Sequence, residues 1–106
     1  MTIIITATTH LRADMREQAI AAAHTLQTKT LHEPGCIEYR FWTAVEDPDA
    51  ILALEIWESD EALQNHLRAP HVARFNQTLA GSLDAPLAVT RHEVSTSGPL
   101  RGSPGA

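Results

Sequence analysis

Apolar and polar positions follow two periods along this chain, and each change of period marks a new element. Thr2 to His10 is rich in Ile and Thr, β-branched residues that fit a pleated backbone, and predicts a first strand, β1. Leu11 to Leu31 holds no Gly or Pro. Within it Met15, Ala19, Ala22, Ala23, Leu26 and Thr30 recur at helical spacing and predict a long amphipathic helix, α1. Pro34 disfavours helical geometry at Glu33 and Gly35 is a permissive turn residue, so the helix ends at this tripeptide. Cys36 to Val45 then alternates as β2. Ile37, Tyr39, Phe41, Thr43 and Val45 share one face, and Cys36, Glu38, Arg40 and Trp42 the other. The turn Glu46-Asp47-Pro48-Asp49 leads into β3, Ala50 to Trp57.

Both faces of β3 are apolar, with Leu52, Leu54 and Ile56 on one side and Ile51, Ala53 and Trp57, with Glu55, on the other. Such a strand needs cover on both sides. The helices of a two-layer domain cover one, so the other predicts a partner, most economically a second copy in a homodimer. Ser59 predicts the N-cap of α2, Asp60 to Arg68, whose first-turn Asp60 and Glu61 complement the helix dipole. Pro70 suits the first turn of α3, Pro70 to Ala80, with Val72, Phe75 and Leu79 on its buried face and Gly81 at its stop. Leu87 to Val94 supplies β4. Counting α2 and α3 as one helical segment, the order β-α-β-β-α-β is the ferredoxin-like split βαβ arrangement, an α+β fold with an antiparallel sheet. Residues 1–94 form that domain, and 95–106, STSGPLRGSPGA, predict a Gly/Pro/Ser tail.

At 106 residues the chain has room for one modest core, too small to enclose a large cofactor alone. A net charge of −5 with scattered basic residues predicts no nucleic-acid partner. No apolar run approaches the roughly 20 residues of a membrane helix. No basic stretch precedes Ile3-Ile4-Ile5, so a secretory signal is not expected. Cys36 is the one cysteine, which suits a reducing cytoplasm and reads as a small core hydrophobe rather than a nucleophile.

His66 is the first candidate for chemistry, because neutral imidazole accepts a proton near neutral pH. Its alternative is a solvent-facing histidine opposite Ala62 and Leu63. His71, next to Pro70, reads as a local hydrogen-bonding residue. Trp57 ends β3, where it walls a pocket or fills the core. Tyr39 offers a polar tip to a substrate oxygen, and alternation sets Trp42 apart from Tyr39 and Phe41. No HxH, HExxH or paired-Cys motif occurs, so no metal is expected, and without a Gly-rich loop neither is a nucleotide or flavin.

From Glu33 to Phe75 the chain reads EPGCIEYRFWTAVEDPDAILALEIWESDEALQNHLRAPHVARF: hairpin, Ser-capped helix with His66, Pro break, His71. In this order it resembles the antibiotic biosynthesis monooxygenase-like family of dimeric α+β barrel proteins, and the resemblance runs from Thr2 to Val94. It implies a homodimer whose two sheets meet in a barrel. Several members oxidise phenols or quinols with O2 and no metal, flavin or haem. A deprotonated electron-rich aromatic reduces oxygen by itself, and the protein supplies a base, an apolar pocket and orientation. The resemblance therefore implies a cofactor-free monooxygenase of a small aromatic substrate, with His66 as base and Trp57, Phe75, His71 and Tyr39 against the substrate. His71 matches the family's Ser/Thr-Pro-His pattern, with Ala69 in place of the hydroxyl residue. A haem-degrading branch needs Asn, Trp and His where this chain has Ala7, His66 and Asn76, so haem is not implied. Isomerisation of a small metabolite is one alternative, and a non-catalytic barrel that binds a hydrophobic ligand or serves a stress response is another. The surroundings of His66 discriminate: an enclosed cavity shared with Trp57 or Phe75 favours an enzyme, and open solvent favours a binding protein.

Overall fold

The sheet runs β2-β3-β1-β4, and each neighbouring pair is antiparallel. A computed structural model describes residues 1–101. Its elements are β1 (Thr2–His10), α1 (Arg16–Thr30), β2 (Cys36–Thr43), β3 (Ala50–Trp57), α2 (Asp60–Leu67), α3 (Pro70–Ala80) and β4 (Ala88–Val94). This is the expected ferredoxin-like α+β architecture, with a second helix before the last strand. Of the expected tail, 95–101 carries no helix or strand, and residues 102–106 lie outside those described. No helix among the described residues is long and apolar enough to cross a membrane.

Two local departures have clear causes. The first helix begins at Arg16, because the Leu11 and Arg12 N–H groups donate to the Asp49 and Ser82 carbonyls, each at 2.8 Å. Those long-range bonds hold the segment out of helical geometry, and a short 3-10 turn, Ala13–Met15, leads into α1. In β2 the register slips between Cys36, opposite Trp57, and Glu38, opposite Ile56. This β-bulge inserts Ile37 as an unpaired residue. Cys36 therefore packs on the core with Tyr39, and Ile37 is exposed, the reverse of strict alternation.

The inner face of the sheet holds Ile3, Ile5, Tyr39 and Trp57, packed against Leu26 of α1, Ala62 and Leu63 of α2 and Val72 of α3. On the outer face β1 and β3 pair Ile4 with Ile56, Thr6 with Leu54 and Thr8 with Leu52. Leu52 and Trp42 on that face are 37% and 51% exposed, and the Arg40 guanidinium lies 5.8 Å from the Trp42 ring centre. Two further details fix the frame. Gly35 has φ +82°, and a Cβ there would sit 2.5 Å from the Ala62 Cβ, so this turn requires glycine. At the other end His10 bridges Asp47 in the β2–β3 turn and Asp84 before β4, both at 2.8 Å.

Candidate functional site

Between the inner face and the helices lies a cavity of about 620 Å³. Its walls are mostly apolar, from Ala53 and Phe41 on the strands to Val72, Phe75 and Leu79 on α3, with His66, Glu55 and Tyr39 among them. Among the described lining residues there is no Lys or Arg. Trp42 also borders the space, so all three aromatics of β2 touch it despite their alternation.

Ser59 begins α2 by accepting the Ala62 N–H at 3.1 Å, which fixes the phase of the helix. That phase puts Ala62, Leu63 and His66 on one inward face, at the i, i+3 and i+4 spacing of neighbours. His66 is 2% exposed, and the solvent-facing alternative does not hold. Its Nδ1 lies 2.8 Å from Glu33 Oε2, and the same oxygen lies 2.8 Å from His71 Nε2. An ionised carboxylate only accepts, so both facing nitrogens carry hydrogen. In a neutral ring the remaining nitrogen of His66, Nε2, is then the one without hydrogen, and the ring lines the cavity.

The ring is held on both sides. Trp57 packs against it at 4.8 Å between centres and Tyr39 at 5.2 Å, both tilted to its plane. Trp57 is fully buried behind His66 and does not border the cavity, whereas Tyr39 and Phe75 do. His71 borders a smaller space of about 150 Å³ beside Arg74 and Phe75. Of the five candidates, the structure thus gathers His66, Tyr39 and Phe75 on one cavity, sets Trp57 behind it and links His71 through Glu33.

Glu33 and Glu55 are the residues that sequence reasoning misses. Glu33 belongs there to a turn, and Glu55 to a charged strand face. Glu55 Oε1 accepts the Trp57 indole N–H at 3.0 Å. Burial pushes its carboxyl above the usual 4.5, an effect that the Trp57 hydrogen bond and the nearby His66 partly offset. Burial likewise raises the Tyr39 phenol, with the charges of Glu55 and Glu33 adding to it, so Tyr39 remains an O–H donor. The Cys36 thiol is pushed up to about 11, by burial first and then by Glu33, and offers no thiolate nucleophile.

The donor atoms of Glu33, His66 and His71 lie within 4.8 Å of one another, as do those of His10, Asp47 and Asp49. Two imidazoles and a carboxylate are a donor set suited to a divalent transition metal. The arrangement present is a proton-sharing one, with one carboxylate oxygen between two N–H donors.

A family model described as antibiotic biosynthesis monooxygenase matches residues 2–78. An uncharacterized protein of Synechocystis sp. is 25% identical over 93 residues, covering 88% of this chain and 63% of its own length. The chain thus spans less than two thirds of that relative. A Bacillus subtilis protein whose name places it provisionally among monooxygenases is 27% identical over 93 residues, 88% of this chain and 98% of that one. A solved structure from Mycobacterium tuberculosis superposes with a TM-score of 0.86 at 23% identity, covering 93% of this chain and all of that one.

Proposed function

Because the chain belongs to the antibiotic biosynthesis monooxygenase family, we propose that it oxidises a small electron-rich aromatic, a phenol or quinol, with O2 and with His66 as the general base. One observation carries this reading: a buried histidine on the wall of an apolar cavity, with Nδ1 tied to Glu33 and Nε2 left to accept a proton. The substrate O–H gives its proton to Nε2, and Glu33 stabilises the imidazolium that results. The phenolate then delivers electrons to O2. For a phenol with a free para position, one oxygen atom becomes the new quinone carbonyl. The other leaves as water with the two hydrogens lost from the phenol O–H and the ring C–H. Tyr39, Phe41 and Phe75 supply flat apolar walls for an aromatic ring. Trp57 and His71 act from behind the wall: Trp57 packs on the base, and His71 shares Glu33 with it.

The outer face of the sheet supports a homodimer, since Leu52, Leu54, Ile56 and Trp42 form an apolar surface that a second sheet would bury. A reducing cytoplasmic setting accords with the single, partly buried thiol. The test is oxygen uptake with α-naphthol and small hydroquinones, chelator present and flavin omitted. Uptake well above the buffer rate is the expected result. Binding of these compounds without uptake would instead favour the non-catalytic barrel.

A further inference from the structure

Glu55 is a carboxyl on the wall of a largely apolar cavity, and no cation pairs with it among the described residues. One of its oxygens is held by the Trp57 indole N–H, and the other has no hydrogen-bond partner among the described residues. It sits on the inner face of the sheet, opposite Tyr39 on β2 and Ile5 on β1, and is partly buried there. This partial burial makes the charged form of Glu55 costly, and its second oxygen is open to a ligand in the cavity. We propose that Glu55 is the substrate-recognition group of the cavity, donating an O–H hydrogen bond to the carbonyl or enol oxygen of a flat, uncharged, enolisable aromatic ketone. The assignment rests on the reading of the cavity as a substrate site and extends its ligands from phenols and quinols to aromatic ketones that present the same oxygen as carbonyl or enol.

Three features agree. Burial holds the carboxyl toward its protonated form, the form that can donate. The described lining residues include no Lys or Arg, and Glu33 stands nearby, so a carboxylate or phosphate ligand would meet repulsion without compensation from them. His66 lines the same wall, which puts a proton acceptor and a proton donor on one cavity, as abstraction of a proton next to a carbonyl requires.

Binding calorimetry on the whole chain tests this with three probes of similar shape: α-tetralone, the oxygen-free tetralin, and naphthoate. The wild type is expected to prefer α-tetralone to tetralin by about tenfold, the worth of one hydrogen bond to a buried donor, and to reject naphthoate. The preference should fade as pH rises and Glu55 ionises. The other titratable groups near Glu55 are Tyr39 and Cys36 on β2, His66 on α2 and Glu33 before β2, and the Glu55→Gln variant separates their effects from its own. Glu55→Gln keeps an acceptor for Trp57 and a donor for the ketone, so the preference should persist and its pH dependence vanish. Glu55→Leu should lose the preference. If that variant does not fold, the pH titrations of wild type and Glu55→Gln decide alone. Equal binding of α-tetralone and tetralin by the wild type would overturn the role of Glu55 and leave the cavity a ligand site. So would a pH dependence that survives in Glu55→Gln. Failure of all three probes to bind would remove both the assignment and the reading it rests on.

Discussion

Glu33 Oε2 stands 2.8 Å from His66 Nδ1, although 33 residues separate the two in sequence. This contact selects the tautomer of the neutral ring and so decides which nitrogen is left to take a proton. Glu33→Gln removes the charge and permits the opposite tautomer, with the amide donating to Nδ1. Turnover of a productive phenol is expected to fall by about 10² or more with KM little changed, as when general-base catalysis is lost. Steady-state kinetics check this, and a changed KM with unchanged kcat would assign Glu33 to binding instead.

The outer face yields a second expectation. Leu54 lies mid-strand there, opposite Thr6 on β1 and Arg40 on β2. Leu54→Glu places a charge in the surface that a second copy would bury. Sedimentation should show a dimer for the wild type at micromolar concentration and a monomer for Leu54→Glu. A monomeric wild type would contradict the dimer.

Much of the fold was legible in the residues, because strands β1 and β3 and helices α2 and α3 each declare themselves locally. Thr and Ile mark β1, Ser59 caps α2 and Pro70 opens α3. What escaped depends on distant partners. The bulge that turns Ile37 outward is a property of pairing with β3, and the start of α1 is set by the carbonyls of Asp49 and Ser82. The site shows the same division. His66 stood out by residue type, but its burial follows from the phase of α2, and its partner Glu33 is masked by the Pro34-Gly35 turn beside it. Glu55 looked like one charge on a strand, since nothing local shows which face closes over a cavity.

Gly35 positions that turn, and with it Glu33. Gly35→Ala forces a left-handed backbone on an L side chain and drives its Cβ into Ala62, 2.5 Å away. Urea denaturation should show a loss of about 2–4 kcal/mol. A loss below about 1 kcal/mol would mean that the turn relaxes freely.

At the far end, hydrogen bonds donated by the His10 ring to Asp47 and then Asp84 raise His10 above its ordinary 6.5. Asp47 is held below 3.8, first by the Asp49 backbone N–H and then by His10. A raised histidine stabilises the fold below its unfolded value, and that contribution is lost as pH climbs through the folded value. A depressed aspartate stabilises above its unfolded value, and that contribution is lost as pH falls through the folded one. The clamp is therefore fully formed between about pH 4 and about pH 6.5. The Tm advantage of wild type over His10→Asn should be largest in that window and shrink as pH climbs through the raised value of His10. An advantage constant from acid to alkaline pH would show that His10 acts through packing alone.

The most direct measurement of the central claim follows oxygen atoms. With labelled dioxygen and the phenol that gives the fastest uptake, wild-type protein should yield a quinone carrying one labelled oxygen after immediate reductive trapping. The His66→Gln variant, folded and still able to bind the phenol, should form that product at least about 10²-fold more slowly. An unlabelled product, or an equal rate in the variant, would contradict the assignment of His66 as the base of an oxygen-inserting reaction.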